Sequence, residues 1–409
     1  MHLFYSNVLK ATTITPPASK SISNRLLIMN ALSDIPAKIH NLSDARDTRT
    51  MQQLLNSGKK VLNVLDAGTT IRFLTAYYST RNENRVLTGT PRMCERPIGI
   101  LVDALRVIGV EIDFIQEKGY PPIEIKNFVK QLQNQVSMRG DVSSQYISAM
   151  LMIAPVLSEG LILELTGKIS SLPYIKMTLG LMTDFGIHYT WEEDKNIIEV
   201  PNQAYKPVEC QVESDWSGAS YWYSTVALAE SGDIFLEGLT DDSYQGDRQI
   251  SEIMKLLGVS STFEGNGVLL SKIESVDSIQ YNFSECPDLA QTVMVVCAAK
   301  GIHGLFTGLE SLRIKETDRI IALQQELDKI GASLTEKDPD IWELIPGKLI
   351  PEDPVLEIAT YDDHRMAMAF APLACKTDLI VENPDVVDKS YPGFWEDLRK
   401  VGFRMKKED

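Results

Sequence analysis

The chain has 409 residues, 44% of them apolar and 23% charged, with 40 Lys plus Arg against 56 Asp plus Glu for a formal net charge of -16. That length supports two or three domains with large cores. The charge argues against a general nucleic-acid coat or a polybasic membrane anchor, since both need clustered cations. A small anionic substrate remains compatible, because a basic pocket can sit inside an acidic shell.

The longest nearly apolar run, Ile147 to Leu157, contains Ser148 and Pro155 and falls short of the roughly 20 residues that span a bilayer. The first residues, MHLFYSNVLKATTITPP, carry neither a basic leader nor a small-residue cleavage site, so a cytoplasmic protein is expected. The cysteines at 94, 210, 286, 297 and 375 form no Cys-x-x-Cys pair, and the histidines at 2, 40, 188, 303 and 364 are dispersed. Neither a disulfide framework nor a metal site is expected.

Taken in chain order, a strand-like segment ending in Gly or Asn recurs six times: KIHNLS, RVLTGTP, LILELTGK, IFLEGLT, GLFTGLE and LIVENPD. The pivots are Asn41, Gly89, Gly167, Gly238, Gly308 and Asn383, residues that enter positive φ most readily. From 17 to 23 residues after each pivot, a helix-like stretch ends at Gly58, Gly109, Gly186, Gly258, Gly331 or Gly402, the usual helix stop. Before each strand lies an apolar helix with a polar start: SKSISNRLLIMNAL, AGTTIRFLTAYY, DVSSQYISAMLMIAPVL, DWSGASYWYSTVALA, PDLAQTVMVVCAA and DDHRMAMAFAPLA. Each unit therefore reads helix, strand, helix, strand over about 70 residues. The pattern changes in VPNQAYKPVECQVES, residues 200–214, and the domain boundary is placed there with three units on each side.

The first helices open on Lys20 and Ser21, Gly68 and Thr69, Ser143 and Ser144, Ser217, Asp288, and Asp363 with His364 and Arg365. Ser, Thr and Asp at such places are ordinary N-caps. Lys, Arg and Gln among them exceed what capping requires, and free N–H groups at a helix start attract phosphate and carboxylate. In RIKETDR, residues 313–319, a helix would put Lys315 and Arg319 on one face with Glu316 beside them. In TGTPRMCERPIG, Pro97 suits a first helical position, near Arg92 and Arg96. Arg365 in ATYDDHRMAMAFA reads alternatively as a solvated arginine after an acidic cap.

PPASKSISNR, DAGTTIRFLTA, LTGTPRMCERPIG, GDVSSQYISAMLM, CPDLAQTV, RIKETDR, YDDHRMAM and DKSYPGFWEDL together resemble, in order and across nearly the whole chain, the 5-enolpyruvylshikimate-3-phosphate synthases of the enolpyruvyl transferase family. The resemblance implies an α/β protein of two domains, each of three βαβαββ-type units in an inverse α/β barrel-like arrangement, with the active site in the interdomain cleft. Residues 15–212 would form the N-terminal domain, and 213–409 with strand 1–14 the C-terminal one. It implies transfer of the enolpyruvyl group of phosphoenolpyruvate to the 5-hydroxyl of shikimate 3-phosphate by a monomer, without metal or organic cofactor.

By the motif match, Lys20, Ser21, Arg25, Ser143, Ser144, Gln145, Ser171, Tyr174, Asp288 and Lys315 are expected to contact shikimate 3-phosphate. Lys20, Gly68, Arg96, Gln145, Arg319, Arg365 and Lys389 are expected to contact phosphoenolpyruvate. Asp288 is the candidate base and Glu316 the candidate proton shuttle, with Lys20 stabilising charge and His364 supporting the phosphate site. Arg72 is read as a structural arginine near Gly68.

Ala18, Asp66, Cys94, Leu172 and Ser311 stand where the family usually has Gly, Asn, Lys, Lys and Asn. Asp66 is the hardest to reconcile, because a carboxylate near bound phosphoenolpyruvate would repel it unless it capped the helix or pointed away. Two alternatives stand beside it: the sister transferase acting on UDP-N-acetylglucosamine, for which Cys94 would be the reactive thiol, and a non-catalytic repeat scaffold. SKSISNR and the RMCERP run favour the shikimate enzyme, and the retained charged residues favour catalysis.

Overall fold

In the computed structural model, residues 1–347 and 355–407 are described; the end of the expected C-terminal domain, 408–409, and its internal segment 348–354 lie outside them. The chain divides into two compact units, Ser19–Val212 and Met1–Ala18 with Glu213–Asp409.

The unit Ser19–Val212 has an interior of helices. Lys20–Leu32, Gly68–Ser79 and Ser144–Ile153 touch one another. Their apolar residues fall on all sides rather than in one stripe, and a helix of that kind must be enclosed; only polar starts and a few positions escape burial. Sheets cover this interior with alternating buried and exposed residues, as in Gln135–Arg139. Two of them are four-stranded, each combining a parallel pair bridged by a helix with an antiparallel hairpin. The third has only two strands, Lys38–His40 parallel to Glu209–Gln211. The first repeat therefore lacks its closing hairpin: after helix Arg46–Leu55 the next strand, Val61–Asn63, pairs instead with Arg85–Thr88.

Among the described residues, the other unit repeats the arrangement with three four-stranded sheets around the mutually touching helices Trp216–Leu228, Ala290–Lys300 and His364–Phe370. The N-terminal segment supplies two separate strands. His2–Phe4 lies antiparallel between Leu379–Val381 and Arg404–Lys406, and Thr12–Ile14 runs parallel to Ile234–Glu237. Pro16 to Ala18 stay with this unit, since Asp215 N donates to Pro17 O at 2.8 Å and Ala18 bridges Ser214. The chain thus passes between units at Ser19, four residues beyond the expected Thr15.

All six pivots follow a strand. Asn41, Gly167, Gly238, Gly308 and Asn383 have φ between 39° and 79°. Gly89 is glycine for another reason: a Cβ there would lie 2.4 Å from Leu65 O and 2.6 Å from the Met93 side chain. Five of the expected helix-ending glycines, Gly109, Gly186, Gly258, Gly331 and Gly402, have φ of 72–115°. Gly58 does not; its helix has already stopped at Leu55.

Candidate active-site clusters

In the unit containing Glu213–Asp409, the expected charged residues converge on Asp288, which sits on a 3-10 turn just ahead of helix Ala290–Lys300. Its Oδ1 lies 2.9 Å from Arg319 Nη1 and 3.4 Å from Lys315 Nζ, and its Oδ2 accepts from Arg365 Nη2 at 2.9 Å. Burial alone would raise this carboxyl, but Arg365, Lys315 and Arg319 together hold it well below the usual carboxylate range. Lys315 is lowered by its own burial and by the neighbouring arginines, against the pull of Asp288.

Arg319, almost wholly buried, is the centre of the cluster. It donates from Nε to Asp363 Oδ2 at 2.6 Å and from Nη2 to Glu316 Oε2 at 3.0 Å. Lys389, also buried, lies 3.4 Å from Glu316 Oε1. RIKETDR does not open a helix at its start: helix Arg319–Asp328 begins at its last residue, capped by Asp318. Lys315 nevertheless meets Arg319 at Asp288, because the extended backbone at Lys315 leads into that cap. Asp363 is indeed an N-cap, accepting from Arg365 N at 2.9 Å, but Arg365 is buried rather than solvated. His364 is buried too, its Nδ1 3.5 Å from Asp363 Oδ1.

Behind Arg365 stands an arrangement the sequence did not reveal. Arg365 Nη2 donates to Ser217 Oγ at 3.3 Å, and Ser217 donates to Asp247. Asp247 is raised to about 6, first by burial and then by repulsion from Asp288, with Arg365 opposing. QGDRQI carries no motif beyond a common turn; only Ser217 at the start of a first helix hinted at this partner.

In the unit Ser19–Val212 the expected residues collect at helix starts. Ser19 caps helix Lys20–Leu32, and Lys20 Nζ lies 3.2 Å from the buried carboxylate of Asp47. A Cβ at Gly68 would meet Arg72 Nη1 at 2.6 Å and both terminal nitrogens of Arg96 at 2.9 Å, so glycine lets two guanidinium groups close over the start of its helix. Arg72 also donates to Gly68 O at 2.8 Å and lies 5.4 Å from the Tyr146 ring centroid. Ser143 caps helix Ser144–Ile153, and Gln145 Nε2 donates to Thr69 Oγ1 at 2.9 Å. Ser171 adopts φ 55° ahead of the helix bearing Tyr174.

Arg25 is 2% exposed. It bonds Thr178 Oγ1 at 2.7 Å, Ser21 O at 2.9 Å, Ser148 Oγ at 3.2 Å and Tyr174 O at 3.4 Å, and burial lowers it to about 10. Asp66 neither caps its helix, whose N-cap is Ala67, nor stands bare: both its oxygens lie 2.9 Å from Arg46 Nη2. Cys94 ends the short helix Pro91–Cys94, its Sγ 3.9 Å from Gly89 O. Pro97 does not open a helix; the next begins at Gly99.

The profile of the family described as EPSP synthase (3-phosphoshikimate 1-carboxyvinyltransferase) matches residues 7–60 and 53–398. A 3-phosphoshikimate 1-carboxyvinyltransferase of Bacteroides fragilis is 48% identical over 402 residues, 96% of each chain. The chain belongs to the EPSP synthase family. A relative of the same name from Methanospirillum hungatei is 34% identical, covering 94% of each chain. Among solved structures, an EPSP synthase from Acinetobacter baumannii superposes with TM-score 0.77 at 20% identity, covering 99% of both chains. The enolpyruvyl transferase NikO from Streptomyces tendae also reaches 0.77, at 13% identity over 99% of this chain and 98% of that one. These likenesses show the EPSP synthase fold. Among the described residues no group of His, Cys, Asp and Glu is arranged to hold a metal ion, and no helix is long and apolar enough to cross a membrane.

Proposed function

We propose that the chain transfers the enolpyruvyl group of phosphoenolpyruvate to the 5-hydroxyl of shikimate 3-phosphate in the shikimate pathway, acting as a cytoplasmic monomer. The observation that carries the reading is the convergence of Arg319, Arg365 and Lys315 on Asp288, with Glu316 held between Arg319 and Lys389. Both substrates are phosphorylated carboxylates, and arginine forks suit both groups.

The 5-oxygen attacks C2 of phosphoenolpyruvate while its proton leaves to a base and C3 gains a proton. The tetrahedral intermediate then loses a C3 proton and phosphate, giving 5-enolpyruvylshikimate 3-phosphate. Asp288 is the base. Three cations hold it ionised, and each one that turns toward an anionic substrate relaxes that hold and makes Asp288 more basic. Glu316 shuttles the C3 proton, and His364 supports the phosphate site. Lys20, Gly68, Arg96, Gln145, Arg319, Arg365 and Lys389 receive phosphoenolpyruvate. Lys20, Ser21, Arg25, Ser143, Ser144, Gln145, Ser171, Tyr174, Asp288 and Lys315 receive shikimate 3-phosphate, Arg25 also tying Ser21 to Tyr174.

Phosphate release is the test. Turnover is expected with shikimate 3-phosphate and not with UDP-N-acetylglucosamine; the reverse preference would overturn the substrate assignment. Asp288→Asn and Glu316→Gln are each expected to lower kcat by about 10²–10⁴ with an unchanged circular dichroism spectrum. Near-normal turnover in both would remove these catalytic roles.

A further inference from the structure

The start of helix Arg46–Leu55 serves two neighbours at once. Asp47 reaches back to Lys20, and its carbonyl accepts from Thr70 Oγ1 at 3.3 Å. Arg46, on the adjoining position, lays Nη2 against both oxygens of Asp66. Asp66 lies two residues before Gly68, over which Arg72 and Arg96 close. A carboxylate next to such a cationic helix start would oppose an incoming anion. Arg46 and Asp66 are 40% and 30% exposed, so the contact is of a kind that adds little to folding.

We propose that Arg46 and Asp66 form a specificity-determining pair, in which Arg46 cancels the field of Asp66 and so sets the affinity of the Gly68–Arg96 region for its anionic substrate. This rests on the proposed assignment of that region to phosphoenolpyruvate. Cancellation differs from a packing role in its signature: neutralising position 66 with a side chain of the same shape offsets the loss of Arg46, which no packing role predicts. It also weakens with salt, because partly exposed charges are screened.

The experiment is a double-mutant cycle read as KM and kcat for phosphoenolpyruvate at low and high ionic strength. Arg46→Gln is expected to raise KM roughly tenfold with little change in kcat, and the rise is expected to shrink in salt. Arg46→Lys keeps the charge and stays near the parent. Asp66→Asn alone leaves Arg46 uncancelled and is expected to lower KM, and Arg46→Gln with Asp66→Asn returns KM to within about twofold of the parent. Failure of Asp66→Asn to rescue, or an unchanged KM in Arg46→Gln, overturns the inference while the parent enzyme remains active. A parent chain with no turnover overturns the functional reading itself, and this inference with it.

Discussion

The two clusters are both rich in cations but are held in different ways. Around Asp288, the cations Lys315, Arg319, Arg365 and Lys389 face the carboxylates Asp288, Glu316 and Asp363 in one nearly balanced, largely buried network. In the other unit Arg25 is satisfied by hydroxyls and carbonyls, and Arg72 by a carbonyl and an aromatic face. One cluster must therefore loosen internal ion pairs to engage an anion. The other keeps Arg25 and Arg72 in place through neutral partners and sets Lys20 against Asp47 and Arg46 against Asp66.

The sharpest way to break this contrast is to remove the central cation. Arg319→Met leaves Asp363 fully buried and Glu316 without its 3.0 Å partner. Truncating one member of a buried ionic group costs about 3–5 kcal/mol, mostly from the charges left behind. Urea denaturation is expected to show a loss of that order. Arg46→Met in the other unit breaks a partly exposed pair and is expected to cost at most about 1 kcal/mol. Equal losses would erase the distinction between a network that carries stability and one that does not.

A smaller effect comes from Asp247, which adds a fourth acid to the balanced cluster. Its folded-state pKa of about 6 lies above the ordinary 3.8, so the folded chain binds a proton more tightly than the unfolded one. Ionised Asp247 therefore costs stability above pH 6, and the cost fades as pH falls from about 6 toward 3.8. Asp288, depressed instead, contributes stability above its ordinary value that is lost as pH falls further. Asp247→Asn is expected to raise stability at pH 7.5 by about 2–3 kcal/mol, with the gain shrinking toward pH 5. A gap that widens on acidification would show that Asp247 is held ionised by Arg365 and Ser217.

These contrasts also mark where sequence reading reaches its limit. Pivots and helix stops were legible because backbone geometry is local: a φ near +75° leaves few residue choices, as at Gly167 and Gly308. Gly89 and Gly58 show the ambiguity, since glycine also answers to close packing, or to nothing within 4 Å. Motifs marked Asp288, Glu316 and Arg319 as site residues, but not that Arg319 would bridge three carboxylates drawn from separate segments. Arg46–Asp66 and Ser217–Asp247 join positions 20 and 30 residues apart, and no periodicity encodes such pairings. Charge alone made Asp66 look harmful; its partner lay in the preceding helix.

The smallest expected change tests how the second cluster is built. Gly68→Ala adds a methyl group 2.6 Å from Arg72 Nη1 and 2.9 Å from the Arg96 guanidinium. These are the ends of flexible side chains, so they move and the helix does not. Alanine favours a helix over glycine by up to about 1 kcal/mol, so stability should hold or rise slightly. Displaced guanidinium groups should weaken binding, and KM for phosphoenolpyruvate is expected to rise about 3–10-fold, a loss of roughly 1 kcal/mol. A variant with raised stability and raised KM would separate folding from anion recognition in this unit, a separation the Arg319 network does not permit. An unchanged KM would mean that Arg96 recognises nothing through the surface that Gly68 leaves open.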